Sequence, residues 1–263
     1  MRTCAVVAVL LAATTAALSQ TATPWSGPFT TDRDKAYPCV RASGPIVIDG
    51  KLDEPAWRRA TLIERFIVPP RMDAIAQKMT AAAPALSESH ARLMWDEEYL
   101  YFAAELDDQD IYCVTPDEHD AGFGTDDIVE LFVKPSDALP YYWELHIVPS
   151  GGTRDYFYAR RNAGGDTRWM AYESGLRARV SLQGTLDDWT DRDTRWVAEM
   201  RVPWSAFARM GGRPYPGALW RFLVSRYDYS VHLPDGCELS AAAPLPLQAY
   251  HLFEYYPYLR FVP

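Results

Sequence analysis

Carboxylates are the residues of this chain whose number and spacing could carry out chemistry. They crowd one region, where residues 91–110 read ARLMWDEEYLYFAAELDDQD and further aspartates follow as far as Asp127. A glycosidase needs two carboxyl groups about 5 to 10 Å apart, one of them with a raised pKa. A hard cation such as calcium needs six to eight oxygens, often from carboxylates on neighbouring loops. No spacing here requires a catalytic pair, so we assign no catalytic residue.

The strands that position these acids are predicted from the alternation of apolar and polar residues. Every second residue from Ala91 to Trp95, and again from Leu100 to Leu106, is apolar. Alternation of this kind puts the apolar side chains of a strand on one face. The acids at 96–98 then occupy the turn of a β-hairpin, where aspartate and solvated acids are ordinary.

The aspartates after this hairpin are denser than a turn requires. They have no EF-hand spacing, so two interpretations stay open: a structural calcium site, or a solvated acidic rim. The candidate calcium ligands are Asp107, Asp108, Asp110, Asp126 and Asp127.

Length and net charge limit the functions that the chain can have. The chain has 263 residues and a net charge of -9, which disfavours nucleic acid because that binding depends on lysine and arginine. Residues 1–19 show a secretory signal pattern, and no segment has the length and apolarity of a membrane span. We therefore expect a secreted or periplasmic protein, and a monomer.

Short strand candidates separated by Gly, Pro, Asp and Ser turns continue along the chain. This layout predicts an all-β fold, an antiparallel β-sandwich of the jelly-roll or immunoglobulin-like kind. One or two short helices are expected, the clearer one in PWSAFARMGG. We predict a linker or strap over 20–44, one domain over 45–263 that opens with a short strand in PIVID, and a loop or loose helix over 69–88.

A candidate binding floor follows from the strand YYWELHIV at 141–148. Alternation sends Tyr142, Glu144 and His146 to one face and the apolar residues to the other. Arg226 interrupts a later apolar strand. A buried arginine is costly unless it is paired, so it either meets an acid such as Glu130 or faces a polar cleft.

Seven stretches, taken together and in order, resemble the family 9 carbohydrate-binding modules and their DOMON-like relatives over nearly all of residues 45–263. They are IDGKLDEPAW, ARLMWDEEYLYFAAELDD, DDIVELFV, YYWELHIVPSGGTRD, WVAEMRVPWSAF, WRFLVSRYD and, more weakly, YHLFEYYPYLRF. The resemblance implies a β-sandwich that binds sugars without cleaving them, often beside structural calcium.

The resemblance also implies a sugar clamped between two aromatic rings, supplied here by Phe123 and Tyr250. Glu130 matches a family acid, and His146 stands where the sugar binders have arginine. The sequence departs from the family at Val148 and Ser225, where Asn and Gln are usual. With the binding floor included, the candidate ligand-binding residues are Phe123, Glu130, Tyr142, Glu144, His146, Arg226, Tyr250 and His251.

The expected function is therefore that of a secreted, non-catalytic protein that binds an oligo- or polysaccharide. Two alternatives stay open. Some DOMON-like relatives bind haem for electron transfer, and HARLM would offer His90 and Met94 as axial ligands, but the spacing is unremarkable and haem is the weaker expectation. The other alternative is an accessory domain of a polysaccharide-degrading system.

Overall fold

The computed structural model describes residues 31–73, 77–119, 126–161, 163 and 172–263. The predicted signal at 1–19 and the predicted sugar-clamping residue Phe123 lie outside the described residues. Among those that are described, no helix has the length and apolar character that crossing a bilayer requires.

Fifteen strands and four short 3-10 helices make up the described part of the chain. The strands are β1 Tyr37–Arg41, β2 Ile67–Val68, β3 Met72–Asp73, β4 Lys78–Met79, β5 Ala83–Pro84, β6 Ser89–Trp95, β7 Tyr99–Asp107, β8 Ile128–Lys134, β9 Tyr142–Ile147, β10 Thr153–Tyr158, β11 Arg177–Gln183, β12 Arg195–Pro203, β13 Leu219–Tyr229, β14 Cys237–Ala241 and β15 Tyr258–Val262. The 3-10 helices are Arg33–Lys35, Trp57–Arg59, Trp204–Met210 and Phe253–Tyr255.

The strands pair in the order β10-β9-β8-β13-β15-β1-β6-β7-β12-β11. β13 pairs through 219–221 with β15 and through 225–229 with β14, so the sheet divides at this strand. Alternate residues of β8, β9 and β13 share one core with alternate residues of β6, β7 and β12. The sheet therefore folds into two layers packed face to face, and the predicted all-β sandwich is confirmed.

The predicted hairpin is also confirmed. β6 and β7 pair antiparallel, with Leu93 opposite Phe102 and Trp95 opposite Leu100. Asp96 makes the turn, since its Oδ1 accepts the backbone N–H groups of Glu98 and Tyr99 at 2.8 Å. The acids at 96–98 shape a turn, as their position in the sequence indicated.

The amino-terminal part differs from the prediction. Within the predicted linker or strap over 20–44, β1 pairs in parallel with both β15 and β6, so the folded sheet begins ahead of residue 45. No strand forms over 45–49, where one was predicted. The described part of 69–88 holds short strands and no helix.

A buried glutamate fixes the irregular segment at 45–60 to the sheet. Glu199 of β12 is fully buried, and its carboxylate accepts the N–H groups of Asp49 and Gly50 at 2.9 and 3.0 Å. It also accepts the indole N–H of Trp57 at 3.0 Å. Gly50 has φ +82° and packs against the backbone of Val180, so a side chain would not fit there. These hydrogen bonds tie the segment to β12 without a strand pairing.

The clearer predicted helix is a 3-10 helix over Trp204–Met210. It ends at Gly211, whose φ of +95° is the left-handed conformation that glycine adopts at helix ends. Cys39, Cys113 and Cys237 are free thiols.

Candidate functional site

A cluster of charged side chains lies on the outer face of β8 and β9. Glu130 projects from β8, and Glu144 and His146 project from β9, while the residues between them point into the core. The register places Glu130 opposite His146. The alternation read from YYWELHIV is therefore confirmed, and three predicted site residues come together.

The histidine joins the two acids. His146 Nε2 lies 2.6 Å from Glu144 Oε1 and 3.1 Å from Glu130 Oε1. Ser225 of β13 extends the network, because its hydroxyl donates to Glu130 Oε2 at 2.6 Å. All four residues are buried, so these contacts replace hydration that each group has lost.

Electrostatics hold this cluster in its charged form. Burial alone would lower the pKa of His146, but the carboxylates of Glu130 and Glu144 raise the pKa to about 10. Burial would raise the pKa of Glu144, and the neighbouring His146 outweighs it and lowers that pKa. At neutral pH the cluster is an imidazolium between two carboxylates, with one excess negative charge.

Aromatic rings border this cluster. Tyr142 and Tyr158 stack at 4.6 Å with nearly parallel planes. His251 packs edge-on against both rings, and its Nδ1 lies 2.9 Å from the Tyr142 hydroxyl and 3.9 Å from Glu144 Oε2. The side chain of His251 is 42% exposed, so it is an accessible edge of the cluster. The structure thus brings the predicted residues Tyr142 and His251 to the same place.

Tyr250 does not stand as an exposed ring. It is buried, its hydroxyl donates to the Ser240 carbonyl at 3.2 Å, and its ring packs edge-on against Tyr227. Together with Tyr256 it belongs to an apolar cluster that covers part of the outer face. In this conformation Tyr250 presents no face to a sugar, because its loop folds back onto the sheet.

Arg226 lies on the opposite face of β13 from Ser225. It is 1% exposed, and its Nη2 lies 3.0 Å from Asp108 Oδ2 and 3.1 Å from Asp228 Oδ2. Of the two predicted alternatives, pairing with an acid is the one observed, but the partners are Asp108 and Asp228 and not Glu130, because alternation turns Arg226 into the space between the two layers. It does pair with acids, as its burial requires.

Asp108, Asp127 and Asp228 bring their carboxylate oxygens within 4.8 Å of one another, and all three are buried. Burial raises the pKa of Asp108 to about 6, and burial with the nearby Asp108 and Asp228 raises the pKa of Asp127 well above its usual range. Neither oxygen of Asp228 accepts a hydrogen bond of normal geometry, and Oδ2 is in an ion pair with Arg226 at 3.1 Å. One guanidinium faces three buried carboxyl groups that crowd one another, so the oxygen donor set fits a further cation.

The other predicted calcium ligands point elsewhere. Asp107 pairs with Arg195 at 2.7 Å. Asp110 accepts the N–H of Val231 at 2.8 Å, and Asp126 accepts the N–H of Val114 and the hydroxyl of Thr115. Asp228 was not among the predicted ligands, although its spacing of two residues from Arg226 on one strand places both on the same face.

The profile of the family described as "Carbohydrate family 9 binding domain-like" matches residues 48–230. The chain belongs to this family. The match covers more than half of the chain and includes β6 to β13, the strands that carry both clusters. The family resemblance inferred from the sequence motifs is therefore confirmed.

A curated relative of this family 9 chain is the exoglucanase XynX of Acetivibrio thermocellus. It is 25% identical over 171 residues, which are 64% of this chain. The chain spans about an eighth of that relative, since the match covers 12% of its length.

Solved structures share the fold. A putative carbohydrate-binding protein of Bacteroides uniformis superposes with a TM-score of 0.59 at 14% identity, over 85% of this chain and 97% of that one. A family 9 carbohydrate-binding module of Caldicellulosiruptor kristjanssonii in complex with cellotriose has a TM-score of 0.54 at 15% identity, over 86% and 93%. At these identities the likeness establishes the fold alone.

Proposed function

We propose that this chain is an exported, non-catalytic carbohydrate-binding module that binds sugar at the Glu130–Glu144–His146 cluster. One observation carries the proposal: three charged side chains are kept buried on an outer sheet face beside stacked aromatic rings. Burying a charge lowers stability unless other groups compensate it. Apolar residues at the same three positions would avoid this cost. Family membership and the cellotriose-bound fold neighbour support the same function.

The geometry suits the two surfaces of a sugar ring. A pyranose has an apolar C–H face, for which aromatic rings provide area at low entropic cost, and a rim of hydroxyls that needs donors and acceptors. His251 and Tyr158 are the accessible edge of the cluster, and Tyr158 interacts with Glu144 behind it. Binding of sugar hydroxyls by these residues breaks no bond, so it requires no catalytic pair of carboxylates.

Replacing His251 with alanine is expected to weaken cellotriose binding about tenfold, because one hydrogen bond and one aromatic edge are lost. The measurement is titration calorimetry against glucose, cellotriose and xylotriose. His232→Ala is the matched control, since it removes a half-buried histidine from a different loop. If the wild-type protein binds none of these sugars, the proposed function is wrong.

We also propose a calcium ion at Asp108, Asp127 and Asp228. The support is the crowding of three buried carboxyl groups and the two oxygens of Asp228 that accept no hydrogen bond of normal geometry. Calcium prefers such carboxylate oxygens, and its role here would be to tie the loop after β7 to the end of β13.

Removing calcium with EDTA is expected to lower the melting temperature by about 5 to 10 °C, the effect of losing an ion present at roughly a hundred times its Kd. Thermal unfolding followed by circular dichroism measures this. Asp228→Asn should abolish the response to EDTA, whereas Asp107→Asn should keep it, because Asp107 pairs with Arg195 instead. An EDTA-independent melting curve for the wild type would remove calcium from the proposal.

A second candidate role is that of an accessory domain in polysaccharide degradation. The match to a short part of an exoglucanase favours it, since binding domains increase the local concentration of an attached enzyme at its substrate. For the haem alternative, the structure places Met94 in a buried cluster with Trp57 and Tyr101, while His90 pairs with Glu88. A Soret band in the purified protein would be its test.

A further inference from the structure

A small cavity lies where three loops meet at one end of the sandwich. Its volume is about 260 Å³. The loops are those between β7 and β8, between β11 and β12, and between β13 and β14. The lining residues include Tyr112, Asp187, Trp189, Tyr229 and Val231.

Trp189 is the unusual member of this lining. It is 66% exposed, and Val231 beside the same cavity is 61% exposed. Exposing a whole indole to water forfeits the free energy that its burial would provide. Most other tryptophans of the described chain are buried in the core, so Trp189 stands apart from them.

Two tyrosines that line the cavity are held in place by their backbones. The buried carboxylate of Asp127 accepts the N–H groups of Tyr112 and Tyr229, each at 2.7 Å. Both tyrosines line the cavity and are half-buried. The cavity therefore has one fixed aromatic wall and one exposed indole.

A sugar ring fits this chemistry. The indole and phenol faces match the apolar face of a pyranose, and the exposed carboxylate of Asp187 at the rim can accept its hydroxyls. The negative charge of that rim disfavours phosphorylated or other anionic ligands.

β13 connects this cavity to the charged cluster. Ser225, Tyr227 and Tyr229 are alternate residues of one strand and share its outer face. Ser225 bonds to Glu130, and Tyr229 lines the cavity four residues later, a distance of about 13 Å at the usual strand rise. A glycan chain that reaches both places has to cross the packed Tyr227–Tyr250 pair between them.

We infer that Trp189, with Tyr112 and Tyr229, forms a second sugar-stacking subsite that binds a distant ring of the same glycan chain. The inference rests on the proposed function and adds to it a preference for oligosaccharides over single sugars. A monosaccharide needs only the charged cluster, whereas a longer chain gains the stacking energy of the second subsite.

The test is titration calorimetry of wild type, Trp189→Ala and Tyr215→Ala with glucose, cellotriose and cellohexaose, and with the matching xylose series. We expect the wild type to bind the hexaose about tenfold more tightly than glucose, and Trp189→Ala to lose that gain while its glucose affinity stays within about twofold. Tyr215 is 74% exposed on another loop, so Tyr215→Ala controls for the loss of a surface aromatic and should keep the gain.

The outcomes separate the subsite from the sugar site itself. If Trp189→Ala binds the hexaose as the wild type does, the second subsite is wrong and sugar binding stands. If the variant loses glucose and hexaose affinity equally, Trp189 belongs to the first site and the inference is overturned. If the wild type binds neither series, the proposed function and the inference both fail.

Discussion

Replacing Arg226 with leucine is expected to lower the free energy of unfolding by about 3 to 5 kcal/mol at pH 7 in the presence of EDTA. The guanidinium is 1% exposed and lies within 3.1 Å of Asp108 and Asp228. It also donates to the Ser89 hydroxyl at 3.2 Å. Its removal leaves buried carboxylates with no counter-charge. Urea unfolding followed by tryptophan fluorescence measures the change.

The same variant should respond to pH and calcium in defined directions. Without Arg226, the pKa of Asp108 rises further in the folded state, so the folded protein binds protons more readily and the deficit shrinks as the pH falls from 7 to 5. Calcium should restore part of the lost stability. Arg213→Leu is the control, because its exposed ion pair with Glu97 at 3.9 Å contributes less than about 0.5 kcal/mol. Equal stabilities of the two variants would show that the buried cluster needs no internal cation.

The free energy of unfolding is expected to fall as the pH rises from 7 to 10, through the loss of the His146 proton. The folded-state pKa of His146 is about 10, against 6.5 ordinarily, so its stabilisation is fully present below 6.5 and is lost as the pH passes 10. Since one unit of pKa corresponds to about 1.4 kcal/mol, the loss is on the order of 3 kcal/mol or more.

His146→Gln isolates this contribution in urea unfolding curves recorded from pH 6 to 10. The variant should be less stable than the wild type at pH 7, and the difference should narrow towards pH 10. His90→Gln provides a control, because His90 pairs only with the largely exposed carboxylate of Glu88. A difference between wild type and His146→Gln that is constant across this range would mean that His146 is not held as an imidazolium.

The sequence predicted the fold well because its evidence is local. Alternation and turn residues were enough for the β6–β7 hairpin, and the same alternation gave the outward face of β9. β1 could not be predicted, since its two partners lie more than 50 and more than 200 residues away in the chain. The segment over 45–49 has strand-like residues, but the N–H of Val47 donates to Glu54 and that of Asp49 to Glu199, so side-chain carboxylates take the place of a strand partner.

The site was predicted in part for the same reason. Glu130, Glu144 and His146 lie on adjacent strands, where family motifs and alternation both apply. Tyr250 lies in a loop outside the strands and helices, so its burial depends on how that loop folds back onto the sheet. The acidic cluster combines residues that lie far apart in the chain. Asp108 and Asp127 belong to the segment between β7 and β8, and Asp228 lies near the end of β13. The density of aspartates along the sequence does not reveal that Asp228 completes the cluster.

The position of β1 between β15 and β6 has a consequence for the order of events during synthesis. β1 leaves the ribosome early, but it lies parallel to β15, with Tyr37 opposite Leu259, so its main partner is made more than 200 residues later. The centre of the sheet stays open until β15 has been made. Contacts between residues this distant in sequence slow folding. They also prolong the exposure of unpaired strand edges, which chaperones protect from aggregation. For a protein proposed to be exported, that delay would lengthen the time during which the newly made chain is unfolded.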